Sequence, residues 1–360
     1  MPPDLSDPRR SVPSTHRTAL HAAWAAYGDH RHITAVTEVS AFVSTNEVYR
    51  LALDDGANVI AKVSSYGSYF LFAEDHDRLY RLSDLLAPTR FSGLLARVLG
   101  RDGRAYTWYD GKLWVAFYEE IDRARSLPKV LDDDQVENLA REMAHLHQAC
   151  AAVTAAIPPM SNSVKADAIH LLEQLESPIA PLVFGLTATQ VSLVWRHTHE
   201  FLLMLERVRY DEWLRIPVLV DWNLGNFSVA DLPDGSFHLY SRWDYDWFRL
   251  EPRLHDFYFC SRVSSRTGDR DSWTYSSHTL VEPRFVRFIE AYHEVYPLTE
   301  AEVRFIPEAY RFFILNYVIR EGKRFFRPDL CARFRTEAAT MYLPDLDRLD
   351  LTPLLDAISA

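Results

Sequence analysis

The sequence predicts an α+β protein of two unequal lobes, one strand-rich over residues 1–118 and one larger and mostly helical over residues 119–360. Three observations carry this reading. Apolar alternation of period two recurs in the first third of the chain, helical spacing dominates from about residue 132, and one strand-rich interlude interrupts the helices at 217–241. A chain of 360 residues is long enough to give two lobes a sizeable core.

The elements follow in order. Residues 1–14, rich in Pro, Ser and Arg, read as a loose arm with no apolar stretch of the kind a signal peptide needs. Ser14 or Thr15 is placed to cap a helix through Leu20, Ala23, Trp24 and Tyr27 that ends near Gly28. Strands are expected over Val36–Ser40, Val43–Leu53 and Asn58–Ser64, the last two joined by an Asp54-Asp55-Gly56 turn. Tyr69–Leu86 has helical spacing, and two further strands fit Arg104–Tyr109 and Leu113–Tyr118. Past a connector at Tyr118–Asp122, Asp132 or Asp133 opens a long amphipathic helix with Val136, Leu139, Ala140, Met143, Leu146 and Cys150 on one face. Helices are expected at 164–176 and 189–209, then strands at Val218–Val220, Phe227–Val229 and Phe237–Tyr240, then helices to the end.

Composition narrows the function classes. Thirty-nine basic against 50 acidic residues give a formal charge of -11, which opposes general binding to nucleic acid or an anionic membrane and is compatible with a cationic small substrate. Cys150, Cys260 and Cys331 are scattered and odd in number, so neither a disulfide framework nor a structural zinc site is expected, and a reducing cytoplasm suits the chain. No apolar run approaches the roughly 20 residues of a membrane span.

Chemistry concentrates around the strand interlude. In Val218-Leu-Val-Asp-Trp-Asn-Leu-Gly-Asn, Asp221 stands five residues before Asn226 and directly after an apolar strand. Phosphoryl transfer needs a carboxylate to orient and deprotonate the attacking hydroxyl, and an oxygen ligand that holds a metal against the phosphates. Such a loop can supply both. A hairpin turning at Pro233-Asp234-Gly235 would return Asp244 beside Asn226, and two oxygen ligands suit Mg²⁺. Asp246 and Asp256 lie just beyond, set among Trp, Tyr and Phe. In the first lobe, Val59-Ile-Ala-Lys-Val places Lys62 on an apolar strand, where a lysine is costly unless paired.

With these residues in view, the chain resembles the aminoglycoside phosphotransferase and homoserine/choline kinase group, over roughly residues 35–320. The resemblance implies a two-lobed, protein-kinase-like fold with ATP and Mg²⁺ in the cleft. Asp221 matches the catalytic Asp, Asn226 and Asp244 match the metal ligands, and Asp256 matches the structural Asp of the next helix. Asp246 and Asp256 are also candidates for substrate contact. Leu139-Ala-Arg-Glu-Met-Ala-His-Leu-His matches a helix of the group, although His145 and His147 themselves read as packing residues. Lys62 matches the phosphate-contacting lysine, with Glu74 chosen over Asp75 and Asp77 as its partner. Ser44, Thr45 and Asn46 match the phosphate-covering hairpin, and the adenine would meet backbone near Glu119 and Ile121. Three departures stand out: Leu219 and Asn223 replace two histidines of the group's loop, and the phosphate hairpin lacks glycine. The implied activity is transfer of a γ-phosphate to a small-molecule hydroxyl. A nucleotide-binding pseudokinase and a kinase acting on Ser or Thr of a peptide are the alternatives. The basic run Arg320–Arg327 reads as a solvated helix end, and Tyr310–Phe313 with Phe325–Phe326 as core or cleft wall.

Overall fold

A computed structural model describes residues 12–40, 46–266 and 274–359. The expectations for Ser44, Thr45 and most of the N-terminal arm fall outside these residues. The chain divides into two compact units: one runs to Asp84 and includes Leu95–Asp122, and the other comprises Leu85–Leu94 and the chain from Arg123 onward. The sequence reading placed the boundary near residue 118 and did not detach 85–94. That segment belongs to the second unit because Arg90 pairs with Glu142 and the carbonyl of Leu94 accepts from the N–H of Arg242 at 2.7 Å.

In the first unit, α1 (Ser14–Tyr27) starts after Pro13 without a side-chain cap, so the expected Ser14 or Thr15 cap does not form. Gly28, at φ 84°, ends the helix and returns its N–H to Trp24. Leu20, Ala23 and Trp24 bury against an antiparallel sheet, where Trp24 meets Phe117 edge-on at 5.1 Å. The strands are β1 (Ile33–Glu38), β2 (Glu47–Leu53), β3 (Asn58–Ser64), β4 (Thr107–Tyr109) and β5 (Trp114–Glu119), in the order β1-β2-β3-β5-β4. Lys62 lies on β3 opposite Val48 and Ala116. Helix α2 (Tyr69–Leu86) follows β3.

The second unit is built on α3 (Asp133–Val153), which opens with the capping box the acidic start suggests: Asp132 accepts from the N–H of Gln135, and Gln135 accepts from the N–H of Asp132. Its apolar face packs on the helix Pro283–Val295. Helices α4 (Val164–Glu176) and α5 (Ala188–Arg207) pack on each other. Strand β6 (Ile216–Val218) stops short of the expected Val220, because Val220 has φ 60° and cannot continue a strand. Strands β7 (Phe227–Asp231) and β8 (Phe237–Arg242) form the expected hairpin, turning at Gly235 with φ 87°. A bulge at Tyr240 lets the six residues of β8 face the five of β7. A short strand β9 (Arg249–Glu251) pairs with β6; its alternating charged residues hid it from pattern reading. Then come α6 (Phe257–Ser264), α7 (Pro283–Val295), α8 (Glu300–Phe313), a π-helical segment Ile314–Arg320, and α9 (Pro328–Glu337).

The interior of this unit is ionic as well as aromatic. Asp167 is buried and accepts from Arg249 at 2.5 Å and Arg320 at 2.6 Å. Burial opposes its ionisation, yet the two guanidiniums together hold its carboxyl below the usual range. Arg320 is therefore not the solvated helix end that its basic run suggested. Tyr310, Phe312 and Phe313 are core residues, and Phe325 is half-buried against Trp247 at 5.6 Å. The three cysteines are buried and unbridged. Among the described residues no helix is long and apolar enough to cross a membrane.

Two buried imidazoles make this unit acid-sensitive. Burial, reinforced by Arg249, pushes His255 down to about 3, and burial with Arg311 pushes His197 down to about 4. The unfolded chain binds those protons near pH 6.5, so stability is full above that pH. It falls as pH drops toward 4, by up to about 1.4 kcal/mol per pH unit for each group. Urea melts between pH 7 and 5 should show this loss, with a shallower slope in His255→Gln.

Candidate active site

The site grows from the turn that follows β6. After Val218 the chain reverses through a tight turn in which the N–H of Asp221 donates to the carbonyl of Leu219 at 2.7 Å. The turn requires Val220 at φ 60°, a conformation that costs a β-branched residue roughly 1–3 kcal/mol. The cost is offset from below. The N–H of Val220 donates to Oδ1 of Asp256 at 2.5 Å. Oδ2 of Asp256 lies 2.8 Å from Nε2 of His147, whose Nδ1 is 2.7 Å from the hydroxyl of Tyr292.

Asp256 is 0% exposed and both its oxygens are engaged inside the protein. It braces the turn, and in this arrangement neither oxygen is exposed for the substrate contact that the sequence also offered it. His147 is the other member of this brace; its pairing across 109 residues had no local signal in the sequence.

Beyond the turn, the N–H of Asn223 donates to Oδ1 of Asp221 at 3.0 Å, and the N–H of Asn226 donates to the carbonyl of Asn223 at 2.9 Å. The loop therefore closes on itself without histidine at 219 or 223. The β7–β8 hairpin then brings its two ends together: Arg242 pairs with Phe227, and the N–H of Trp243 donates to the carbonyl of Asn226 at 3.3 Å. The side chain of Asn226 donates to the Asp221 carboxylate, and Asp244 lies close enough to repel it. Asp221, Asn226 and Asp244 thus form one cluster. The N–H of Asp246 caps Asp244 at 3.2 Å, holding that carboxylate in a tight turn.

Burial and then the Asp244 charge push Asp221 up to about 6, against the opposing pull of Arg242, the Asn223 N–H and the Asn226 side chain. A carboxyl so placed accepts a proton more readily than an ordinary aspartate. Two facing acids and an amide oxygen also form a hard-oxygen donor set that a divalent cation fits, since the cation would relieve the repulsion. Among the described residues no group of three or more His, Cys, Asp or Glu side chains is placed to hold a metal ion.

In the first unit, Lys62 and Glu74 are buried at 8% and 9% exposure. Glu74 also pairs with Arg78 at 3.2 Å, while Asp77 is held on the helix surface between Arg78 and Arg81. Asn46 is buried at the entrance to β2. The N–H of Glu119 donates to the carbonyl of Arg97 at 2.9 Å, so this donor is not available to an adenine; Ile121 is half-buried in the segment that follows.

No protein-family model matches the chain, and no curated protein matches its sequence. Solved structures do match in fold. An amicoumacin kinase in complex with AMP-PNP, Ca²⁺ and Ami aligns over 94% of this chain and 98% of its own, with a TM-score of 0.60 and 16% identity. A microcompartment-associated aminopropanol kinase aligns over 93% and 100%, with a TM-score of 0.58 and 17% identity. A wild-type aminoglycoside 2'-phosphotransferase in complex with GDP aligns over 93% and 99%, with a TM-score of 0.56 and 15% identity. The chain has the protein-kinase-like fold, as the sequence resemblance implied.

The Asp256 brace has a measurable consequence. Asp256→Ala leaves the Val220 N–H and His147 without their buried acceptor and should lower unfolding stability by about 3–5 kcal/mol in urea melts. Asp256→Asn, which keeps one acceptor oxygen, should lose less.

Proposed function

We propose that this chain is an ATP- and divalent-metal-dependent phosphotransferase that moves the γ-phosphate to a hydroxyl of a small molecule. The convergence of Asp221, Asn226 and Asp244 on one turn and one hairpin carries the reading. Asp221 is the proton acceptor: its carboxylate orients the acceptor hydroxyl and takes its proton as the oxygen attacks phosphorus. Asn226 and Asp244 would hold Mg²⁺, which supplies charge compensation for the phosphates when bound. Lys62 contacts the α/β-phosphates with Glu74 as its orienting acid, and Ser44, Thr45 and Asn46 are the further residues assigned to phosphate contact. Ile121 offers the backbone contact for the adenine. Positioning and electrostatics then carry nearly all of the rate enhancement.

The neighbours favour a small acceptor, because their names specify amicoumacin, aminopropanol and an aminoglycoside. Asp246, beside the catalytic cluster, is the residue we assign to an amine on such an acceptor, in keeping with the charge of -11. One neighbour is complexed with AMP-PNP and another with GDP, so the assay includes both ATP and GTP.

The test is transfer of labelled γ-phosphate to a panel of aminoglycosides, amino alcohols and sugars with Mg²⁺. Wild type should transfer to at least one class, and Asp221→Ala should lower turnover by about 10³-fold or more with little change in nucleotide affinity. Asp244→Ala should abolish metal-dependent nucleotide binding in a thermal-shift titration, and Lys62→Ala should raise the KM for ATP. Full transfer by Asp221→Ala would remove the catalytic assignment. Nucleotide binding with no transfer to any acceptor, peptides included, would make the chain a pseudokinase.

A further inference from the structure

Arg242, the last residue of β8, is 1% exposed, among the most deeply buried large side chains of the protein. A buried guanidinium normally answers a carboxylate, because an uncompensated charge in the interior costs several kcal/mol. Arg242 has no ion pair among the described residues. Its one side-chain hydrogen bond there runs from Nη2 to the backbone carbonyl of Asp221, at 2.5 Å. Nε and Nη1 are buried without a hydrogen-bond partner. The guanidinium carbon also lies 5.2 Å from the ring centroid of Trp222, itself 1% exposed.

Packing does not explain this arrangement, since an apolar side chain of the same length would fill the space without desolvating a charge. The location does. The strained residue is Val220, and the turn around it has a polar clamp on each side. Asp256 holds the N–H of Val220, and Arg242 holds the carbonyl of Asp221. Leu219, buried at 4% exposure, has no side-chain atom that could do the same.

We propose that Arg242 is a positioning residue for Asp221: by fixing the Asp221 carbonyl and the Trp222 ring, it sets the aim of the Asp221 carboxylate without touching nucleotide, metal or acceptor. This inference rests on the phosphotransferase reading for its catalytic part, but its structural part stands alone. A turn held from one side only lets the carboxylate drift, and a displacement near 1 Å at a reacting group costs about 10²-fold in rate.

The full chain is compared with Arg242→Met, Arg242→Lys and Arg242→Gln in two measurements. Amide hydrogen exchange of the peptide spanning 219–226 needs no substrate. It should quicken about tenfold in Arg242→Met and much less in the lysine and glutamine variants, which retain a donor. Steady-state turnover of Mg·ATP, with water or an accepted alcohol as acceptor, should fall about 50- to 100-fold in Arg242→Met with the KM for ATP within threefold; Arg242→Lys should recover at least tenfold of that loss. Unchanged exchange, or turnover within threefold of wild type in Arg242→Met, overturns the proposal. So does an equal defect in the methionine and lysine variants accompanied by a matching drop in Tm, the pattern of a merely structural role. If Arg242→Met does not fold, the lysine and glutamine variants decide it: turnover loss beyond tenfold in both, with unchanged exchange, sinks the clamp. A wild-type chain that neither binds nor turns over Mg·ATP defeats the phosphotransferase reading instead, and the exchange result still stands on its own.

Discussion

The second unit depends on one carboxylate. Asp256, fully enclosed, joins the end of β6 to α3 through Val220 and His147. Each bond alone is an ordinary buried hydrogen bond, but together they hold a β-branched residue where its backbone would not rest unaided. The strain places Asp221 at the tip of a turn rather than in line with a strand. Its carboxylate consequently faces the hairpin end that carries Asn226 and Asp244. A relaxed Val220 would extend β6, and the acid would follow the pleat away from its neighbours.

Opposed charges shape the cluster that results. Burial, and after it Asp244, make the ionised form of Asp221 costly, while Arg242 and the Asn223 and Asn226 donors favour it. The outcome, a carboxyl pushed up to about 6, is intermediate between a trapped acid and a surface aspartate. Elsewhere in the same unit the opposite balance holds. Asp167 is buried too, yet Arg249 and Arg320 flank it and its carboxyl is held down. Identical side chains thus acquire different chemistry from the number of guanidiniums within reach.

Much of this was legible in the sequence. Period-two alternation marked the sheet that carries Lys62, the Asp-Gly and Pro-Asp-Gly turns marked the hairpins, and the spacing of Asp221, Asn226 and Asp244 anticipated their meeting. What stayed hidden has a common physical cause: it lies in contacts between residues distant in sequence. No local pattern pairs His147 with Asp256, Arg90 with Glu142, or Arg320 with Asp167. Arg242 reads locally as a polar strand end, and only the fold turns its guanidinium onto the Asp221 carbonyl. Strand β9 escaped because its ladder with β6 is three residues long and its ends are charged.

The bulge at Tyr240 gives the hairpin its parity. Beyond it, Ser241 faces Ser228 and Arg242 faces Phe227, where an uninterrupted ladder would set them one position further on, against Phe227 and Asn226. Loss of that single, half-exposed tyrosine would rotate everything downstream by one pleat, sending the Arg242 guanidinium outward and Asp244 away from Asn226. A side chain with no chemistry of its own therefore acts as the spacer that keeps an acid and a base on the same side of the ribbon.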